Sequence, residues 1–209
     1  MSSRGRPRNF SREEALSSAM EIFWDRGFDN TSLADLTRVM GLNPPSLYAA
    51  FGSKAKLFLE AVDLYGRTDG AGIWEFLDSA PTAREAVHDL LRRSAENFTQ
   101  GAEPRGCMVV LSAPQMEGGD AAVCDGLKAR RLEKQTALQH RLERGVMEGD
   151  LPAGTDCDAI AAYVTSIQHG MSIHARDGAS RQTLMAIADC CAAGWDAVVK
   201  AASTQRAQG

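Results

Sequence analysis

The sequence predicts an all-α fold, and three observations carry that prediction. Apolar side chains recur three and four residues apart through most of the chain, the spacing of one face of a helix. The stretches with this spacing begin at Ser, Thr, Asp or Asn and mostly end at Gly, residue types that satisfy free amides at a helix start and accept a left-handed backbone at its end. The one β-like run, Met108-Val109-Val110-Leu111, is too short to outweigh its helical neighbours.

The run Phe10-Ser11-Arg12-Glu13-Glu14 opens the first helix, over residues 11–26. The Ser11 hydroxyl can accept the Glu14 amide, the Glu14 carboxylate can reach back, and Phe10 can staple onto Ala15. Leu16, Ala19, Met20 and Phe23 form its apolar face, and Gly27 caps it with Phe28 folding back toward Phe23. A second start at Thr31 or Ser32 leads to Leu33, Leu36 and Met40 on a helix of about two turns, stopped by Gly41. Asn43 caps a third short helix. Pro44 at its first position loses no bond there, because that amide has no partner inside the helix. Leu47 and Phe51 give this helix one apolar stripe, Gly52 ends it, and Ser53-Lys54 opens a fourth with Leu57, Phe58, Ala61, Val62 and Tyr65.

Beyond Gly66 the pattern loosens at Asp69-Gly70-Ala71-Gly72 and resumes through Ile73, Trp74 and Leu77, which reads as a weakened or bent helix. Thr82-Ala83-Arg84-Glu85 starts a fifth helix with Val87, Leu90, Leu91 and Phe98. A short apolar segment follows Pro104 and breaks at Pro114, and a long, more polar helix spans residues 121–148. Two final helices have the clearest faces. Asp156 can cap one carrying Ile160, Tyr163, Val164, Ile167 and Met171, and Ser180 can cap one carrying Leu184, Ile187, Ala188, Cys191, Trp195 and Val198. Steps of three and four of this kind form the seam of a helix pair.

The chain of 209 residues carries 44% hydrophobic and 24% charged side chains, which places it with ordinary globular proteins and excludes disordered and collagen-like classes. No apolar run approaches the roughly 18 residues that span a bilayer, and no secretory signal follows the basic N-terminus, so a cytoplasmic protein without a membrane partner is expected. Five cysteines, at 107, 124, 157, 190 and 191, make an odd count with no CxxC pair. A disulfide framework, a zinc site and a cofactor are therefore not expected. The net charge of -4 is unevenly spread: residues 1–60 hold 8 Lys and Arg against 7 Asp and Glu, and the remainder holds 15 against 20. Arg4, Arg6 and Arg8, spaced by Gly5 and Pro7, form a basic arm able to follow a minor groove or bind phosphates.

Two short helices around a Gly-containing turn, over residues 31–51, form a helix-turn-helix arrangement. Small residues at the tip of the second one, Pro45, Ser46, Ala49 and Ala50, suit a helix end that must enter a major groove about 12 Å wide. Tyr48 is the one large, polar-tipped side chain on its outward face. Arg38 faces outward on the helix before it, where it can meet a backbone phosphate or pair with Asp35.

The stretch from Arg12 to Glu60 closely resembles the DNA-binding domain of TetR/AcrR-type transcriptional repressors. The resemblance rests on Ala19-Met20-Glu21-Ile22-Phe23, Arg26-Gly27-Phe28, Thr31-Ser32-Leu33, Gly41-Leu42, Ser46-Leu47-Tyr48 and Phe51-Gly52-Ser53-Lys54. It implies a DNA-binding domain over residues 1–52 and a helical effector-binding and dimerisation domain over residues 53–209. It also implies that Ser46 and Tyr48 meet double-stranded operator DNA while Lys54, at a helix start, reaches a phosphate. Thr31, Arg38, Asn43 and Pro45 complete the expected DNA face with the arm residues.

A ligand-responsive regulator needs a second site, and Trp74, Phe98, Cys107, Met108, Leu111, Met116 and Met171 are expected to line a cavity for a small, largely apolar effector that displaces helix four. Ile160, Tyr163, Val164, Ile167, Leu184, Ile187, Cys191 and Trp195 are expected to build a homodimer interface from the last two helices. Cys107 follows Arg105-Gly106 at a helix start, where a cation and free amides favour a thiolate, so it is also a candidate sensor of oxidants or electrophiles. A thiol enzyme using Cys107 and His88 is the competing class. No phosphate-cradling glycine pattern, nucleophilic triad or carboxylate pair supports it.

Overall fold

The computed structural model describes residues 11–101, 104–112 and 119–205, and every regular element among them is helical. Ten α-helices follow one another: α1 (Arg12–Arg26), α2 (Leu33–Met40), α3 (Pro44–Phe51), α4 (Lys54–Arg67), α5 (Ala83–Phe98), α6 (Met108–Leu111), α7 (Ala121–Met147), α8 (Cys157–Arg176), α9 (Arg181–Ala193) and α10 (Trp195–Gln205). The Arg4, Arg6 and Arg8 arm, the Phe10 staple, Pro114 and Met116 lie outside the described residues.

The helices start where side-chain caps are available. Ser11, Ser32, Asn43, Ser53, Thr82, Asp120, Asp156 and Ser180 each accept a backbone amide from the first turn that follows. At α2 the choice between Thr31 and Ser32 falls to Ser32, whose hydroxyl takes the Asp35 amide while the Asp35 carboxylate takes the Ser32 amide. Gly41, at φ 65° and ψ 29°, then supplies the left-handed cap that lets the chain turn into α3.

Two expectations are corrected. Residues 69–77 form a 3-10 turn at Ala71–Ile73 with flanking turns, not a bent helix. The Gly70 amide bonds the Tyr65 carbonyl at 2.8 Å and closes α4, and a Cβ on Gly70 would stand 3.0 Å from the Tyr65 ring. The last predicted helix is two, α9 and α10, parted at Gly194.

Two apolar cores result. In the first, Phe23, Phe28 and Phe58 meet edge-on at 5.0 and 5.3 Å, with Leu36, Leu47, Phe51 and Leu57 beneath them. α4 belongs to this core, which therefore runs past the expected 52/53 division and also takes Met108, Val123 and Leu127. The second core gathers Leu90, Leu91, Leu138, Leu142, Val164, Leu184 and Trp195 from α5 and α7–α10. Cys107 packs against both cores.

Candidate nucleic-acid interface and interior cavity

The α3 helix is held by its inner stripe and open along its outer one. Leu47 and Phe51 are buried at 0% and 3% exposure, so the helix cannot roll without uncovering them. Asn43, Pro45, Ser46 and Ala49 are exposed, and Tyr48 is 44% exposed on the same side. The mounting is rigid. Arg12 bonds Glu60 at 2.6 Å, reaches the Ala50 carbonyl and stacks its guanidinium over the Phe51 ring at 4.5 Å, joining α1, α3 and α4.

Other predicted DNA residues are placed differently. Thr31 is fully buried and its hydroxyl donates to the Gly27 carbonyl at 2.7 Å, so its side chain braces the turn before α2 and cannot reach into a groove. The Asn43 side-chain oxygen accepts the Ser46 amide at 2.9 Å and is thereby committed to capping α3. Arg38 is exposed, with Nη2 2.6 Å from the Asp35 carboxylate. That carboxylate is also bonded to Ser32, and these hydrogen bonds hold its pKa below the ordinary value. The Lys54 ammonium rests over the Phe28 ring, 4.2 Å from its centroid; burial lowers its pKa, and Asp29 and Asp120 oppose the shift.

Behind this face lies a cavity of about 280 Å³ between α4, the 3-10 turn, α5, α6, α7 and α8. Of the residues named for an effector site, Trp74, Phe98 and Cys107 line it. Met108 and Met171 do not: each is buried in one of the two cores, and Leu111 also stands outside the wall. The wall is not purely apolar, however. Beside Val62, Ile73, Val109 and Val110 it carries Asp63, Arg67, Arg130, Arg131, Glu133, Lys134, Gln168 and His169. Sequence reading missed this because the α7 and α8 side chains meet α4 only across long stretches of intervening chain, 67 residues between Asp63 and Arg130; only Arg130-Arg131 in a long polar helix hinted at it.

Cys107 is half-buried at the cavity wall. Burial pushes the thiol above its ordinary range, outweighing the Val110 amide, the Tyr65 hydroxyl, the Val109 amide and Arg131, which favour the thiolate; the cation is not the expected Arg105, which pairs with Glu21. Burial therefore works against the expected bias toward a thiolate. Tyr65 is 2% exposed, and its hydroxyl makes no hydrogen bond of proper geometry, although the Cys107 thiol and the Met108 amide lie beside it. Burial raises the Tyr65 hydroxyl well above its usual range. Burial and the neighbouring Arg131 lower His169, which keeps its ring neutral at pH 7. His88 stands away from all of this, its ring nitrogen 3.1 Å from Asp189 on α9, so the structure does not bring it to Cys107.

The cavity is wired to α1. Tyr65 meets the Trp24 ring edge-on at 4.8 Å, and the Trp24 indole donates to the Gly106 carbonyl at 3.0 Å. Arg105 bonds Glu21 at 2.7 Å and covers Trp24 at 4.0 Å. Arg176 of α8 donates to the carbonyls of both Trp24 and Arg105 at 3.0 Å, and the Cys107 amide donates to the Ser172 hydroxyl at 2.8 Å.

Most of the predicted dimer seam is internal. Ile160, Val164, Leu184, Cys191 and Trp195 are buried within the chain. Tyr163, Ile167 and Ile187 remain accessible and line an outward groove with Ala186 and Cys190. The packing of α8 and α9 on α5 consumes the first stripe, so a partner would see the next one round.

Two family models match: bacterial regulatory proteins of the tetR family over residues 15–61, and the tetracyclin repressor-like C-terminal domain over residues 83–188. The HTH-type transcriptional repressor ComR of Escherichia coli K12 is 34% identical over 199 residues, covering 95% of either chain. The chain belongs to the TetR family of transcriptional regulators. Among TetR family relatives, the E. coli repressor BdcR is 32% identical over 88% of either chain. A solved structure of the TetR family regulator CifR, a cysteine mutant bound to 26-base-pair double-strand operator DNA, superposes with a TM-score of 0.85 at 43% identity, covering 91% of this chain and all of that one. The described helices of this TetR family chain include none long and apolar enough to cross a membrane.

Proposed function

We propose that this protein is a dimeric repressor that holds operator DNA with α3 of each copy and releases it when a small molecule fills the cavity behind α4. The observation that carries the reading is Tyr48, 44% exposed on a small-residue helix whose opposite stripe is locked in the core. A large polar-tipped side chain held this way is available to a groove from a fixed angle. The relatives named as repressors, and the operator-bound CifR structure, support the same assignment. The outward groove of Tyr163, Ile167, Ala186, Ile187 and Cys190 on α8 and α9 supplies an apolar face for a second copy.

Release follows from the shared wall. α4 lines the cavity with Val62, Asp63, Tyr65, Gly66 and Arg67 and also packs into the DNA-binding core through Leu57, Phe58 and Ala61. A ligand that shifts Tyr65 or the 105–107 loop presses on Trp24 and so on α1. It acts by binding the non-operator arrangement more tightly than the operator-bound one. The test is binding to the DNA flanking the protein's own gene, measured by fluorescence anisotropy across a salt series. Affinity that falls steeply with salt and weakens about tenfold or more in Tyr48→Ala is expected; a folded protein that binds no such DNA better than random duplex overturns the reading.

A further inference from the structure

The charge on the cavity wall specifies more about its occupant. Four cationic side chains, Arg67, Arg130, Arg131 and Lys134, stand against two carboxylates, Asp63 and Glu133. They are not equivalent. Arg130 is spoken for, its Nε 2.9 Å from Asp63 and its Nη1 2.9 Å from the Gly126 carbonyl. Lys134 lies 3.9 Å from Glu133 and over Trp74, and Arg67 is exposed. Arg131 differs from these. It is half-buried on the wall, its one hydrogen bond runs from Nη1 to the Val109 carbonyl at 3.3 Å, and no carboxylate among the described residues is within ion-pair distance. A guanidinium drawn out of water without an acid is costly unless an anion joins it.

A second, independent observation points into the same space. The Tyr65 hydroxyl is buried, free of a well-formed hydrogen bond, and set beside the Cys107 thiol on the wall that Arg131 also lines. A buried hydroxyl without a partner loses its hydration and gains nothing in return, so an acceptor arriving with a ligand repairs the loss. His169 on the opposite side is near enough to Arg131 to feel its charge and adds a neutral ring to the wall. Trp74, Phe98, Ile73, Val62, Val109 and Val110 supply an apolar remainder.

We propose that the cavity takes a small carboxylate with an apolar body, its carboxylate paired with Arg131 and accepting a hydrogen bond from the Tyr65 hydroxyl. The expected effector is thus amphipathic rather than apolar. The inference rests on the ligand-release reading above for its regulatory consequence, but not for the binding itself. Because Tyr65 meets Trp24 edge-on, an acceptor that draws its hydroxyl toward Arg131 also moves the contact through which α1 is held.

The test uses hexanoate, octanoate and 3-phenylpropionate as probes, each beside its primary amide, a neutral match of nearly equal shape. Binding to the full-length protein is read by calorimetry, and release of operator DNA by anisotropy in the same samples. At least one carboxylate is expected to bind about tenfold or more tightly than its amide, since hydrogen bonds to charged groups are the strong ones. Arg131→Gln is expected to erase that preference. Tyr65→Phe keeps the ring on Trp24 and is expected to weaken carboxylate binding severalfold, which tests the site if Arg131→Gln does not fold. Carboxylate and amide binding alike, a preference that survives Arg131→Gln, or no binding by any probe at millimolar concentration each overturns the proposal. Amides that release the operator as well as carboxylates leave the release reading standing and remove this one. Carboxylates that bind through Arg131 without moving the operator equilibrium do the reverse.

Discussion

Gly106 is the point at which a single methyl group should cost the protein most between its two cores. Its backbone sits at φ +65°, in the left-handed region, and a Cβ added there would come 2.5 Å from the Ser172 carbonyl oxygen, 2.7 Å from Leu111 Cδ1 and 2.9 Å from the Ser172 hydroxyl. Leu111 and the hydroxyl can turn aside. The Ser172 carbonyl cannot, because it is part of the backbone of α8. The left-handed conformation costs alanine about 1–2 kcal/mol, and forcing volume into a packed site adds about 1–3 kcal/mol. Gly106→Ala is therefore expected to lose about 3 kcal/mol of stability. For a chain of this size that lowers Tm by about 6–12 °C in a calorimetric melt. The strain is relieved by moving the loop, which pulls the Gly106 carbonyl from the Trp24 indole and the Arg105 carbonyl from Arg176. Operator affinity is then expected to fall at temperatures well below the new Tm, because α1 loses its brace. A variant with wild-type Tm and wild-type operator affinity would refute both the packing argument and the role of this loop in positioning α1.

The other expectations concern the interface, the dimer and one titrating group. Tyr48→Ala should weaken operator binding about tenfold or more while altering stability by no more than about 0.5 kcal/mol, read by anisotropy and thermal melting; a large drop in Tm would mean that the side chain is structural. If Lys54 leaves the Phe28 ring for a phosphate, Lys54→Ala lowers the slope of log affinity against log salt by about 1, whereas an unchanged slope confines it to its place on the ring. Ile187→Arg places a charge on the outward groove of α8 and α9 and should yield monomers by light scattering without unfolding; persistence of the dimer would move the interface elsewhere. Burial and Arg131 hold His169 below the ordinary value of about 6.5, so the unfolded chain takes up that proton first. Its contribution to stability is complete above that value and declines as pH falls from there through the folded value. His169→Gln should flatten that part of the stability profile, and an NMR titration placing the ring at or above 6.5 would contradict the assignment.

The helix order and nearly every helix start were legible in the chain. They depend on residues within four positions of one another: Ser32 with Asp35, Asn43 with Ser46, Thr82 with Glu85. The exposed face of α3 was legible for the same reason, because a helix with Leu47 and Phe51 inward must turn Tyr48 outward. Local rules also misled where two roles compete for one side chain. Thr31 is the right residue type for DNA contact, yet its buried hydroxyl is used within the turn that shapes the motif.

The cavity and the proposed dimer face were decided by tertiary structure. Periodicity reports that Ile160, Val164 and Leu184 are covered but not by what, and here their own chain covers them before a partner can. The polarity of the cavity was equally hidden, since Tyr65, Arg131 and His169 come from three helices and meet only when α4, α7 and α8 pack. Burial also weighs against the thiolate expected of Cys107: amides and a cation that favour it are present, but the cation is Arg131 from α7 rather than the neighbouring Arg105, and desolvation pushes the thiol up against them. Sequence fixes neighbours along a helix, whereas desolvation depends on everything that surrounds an atom, and that is settled only when distant segments close over it.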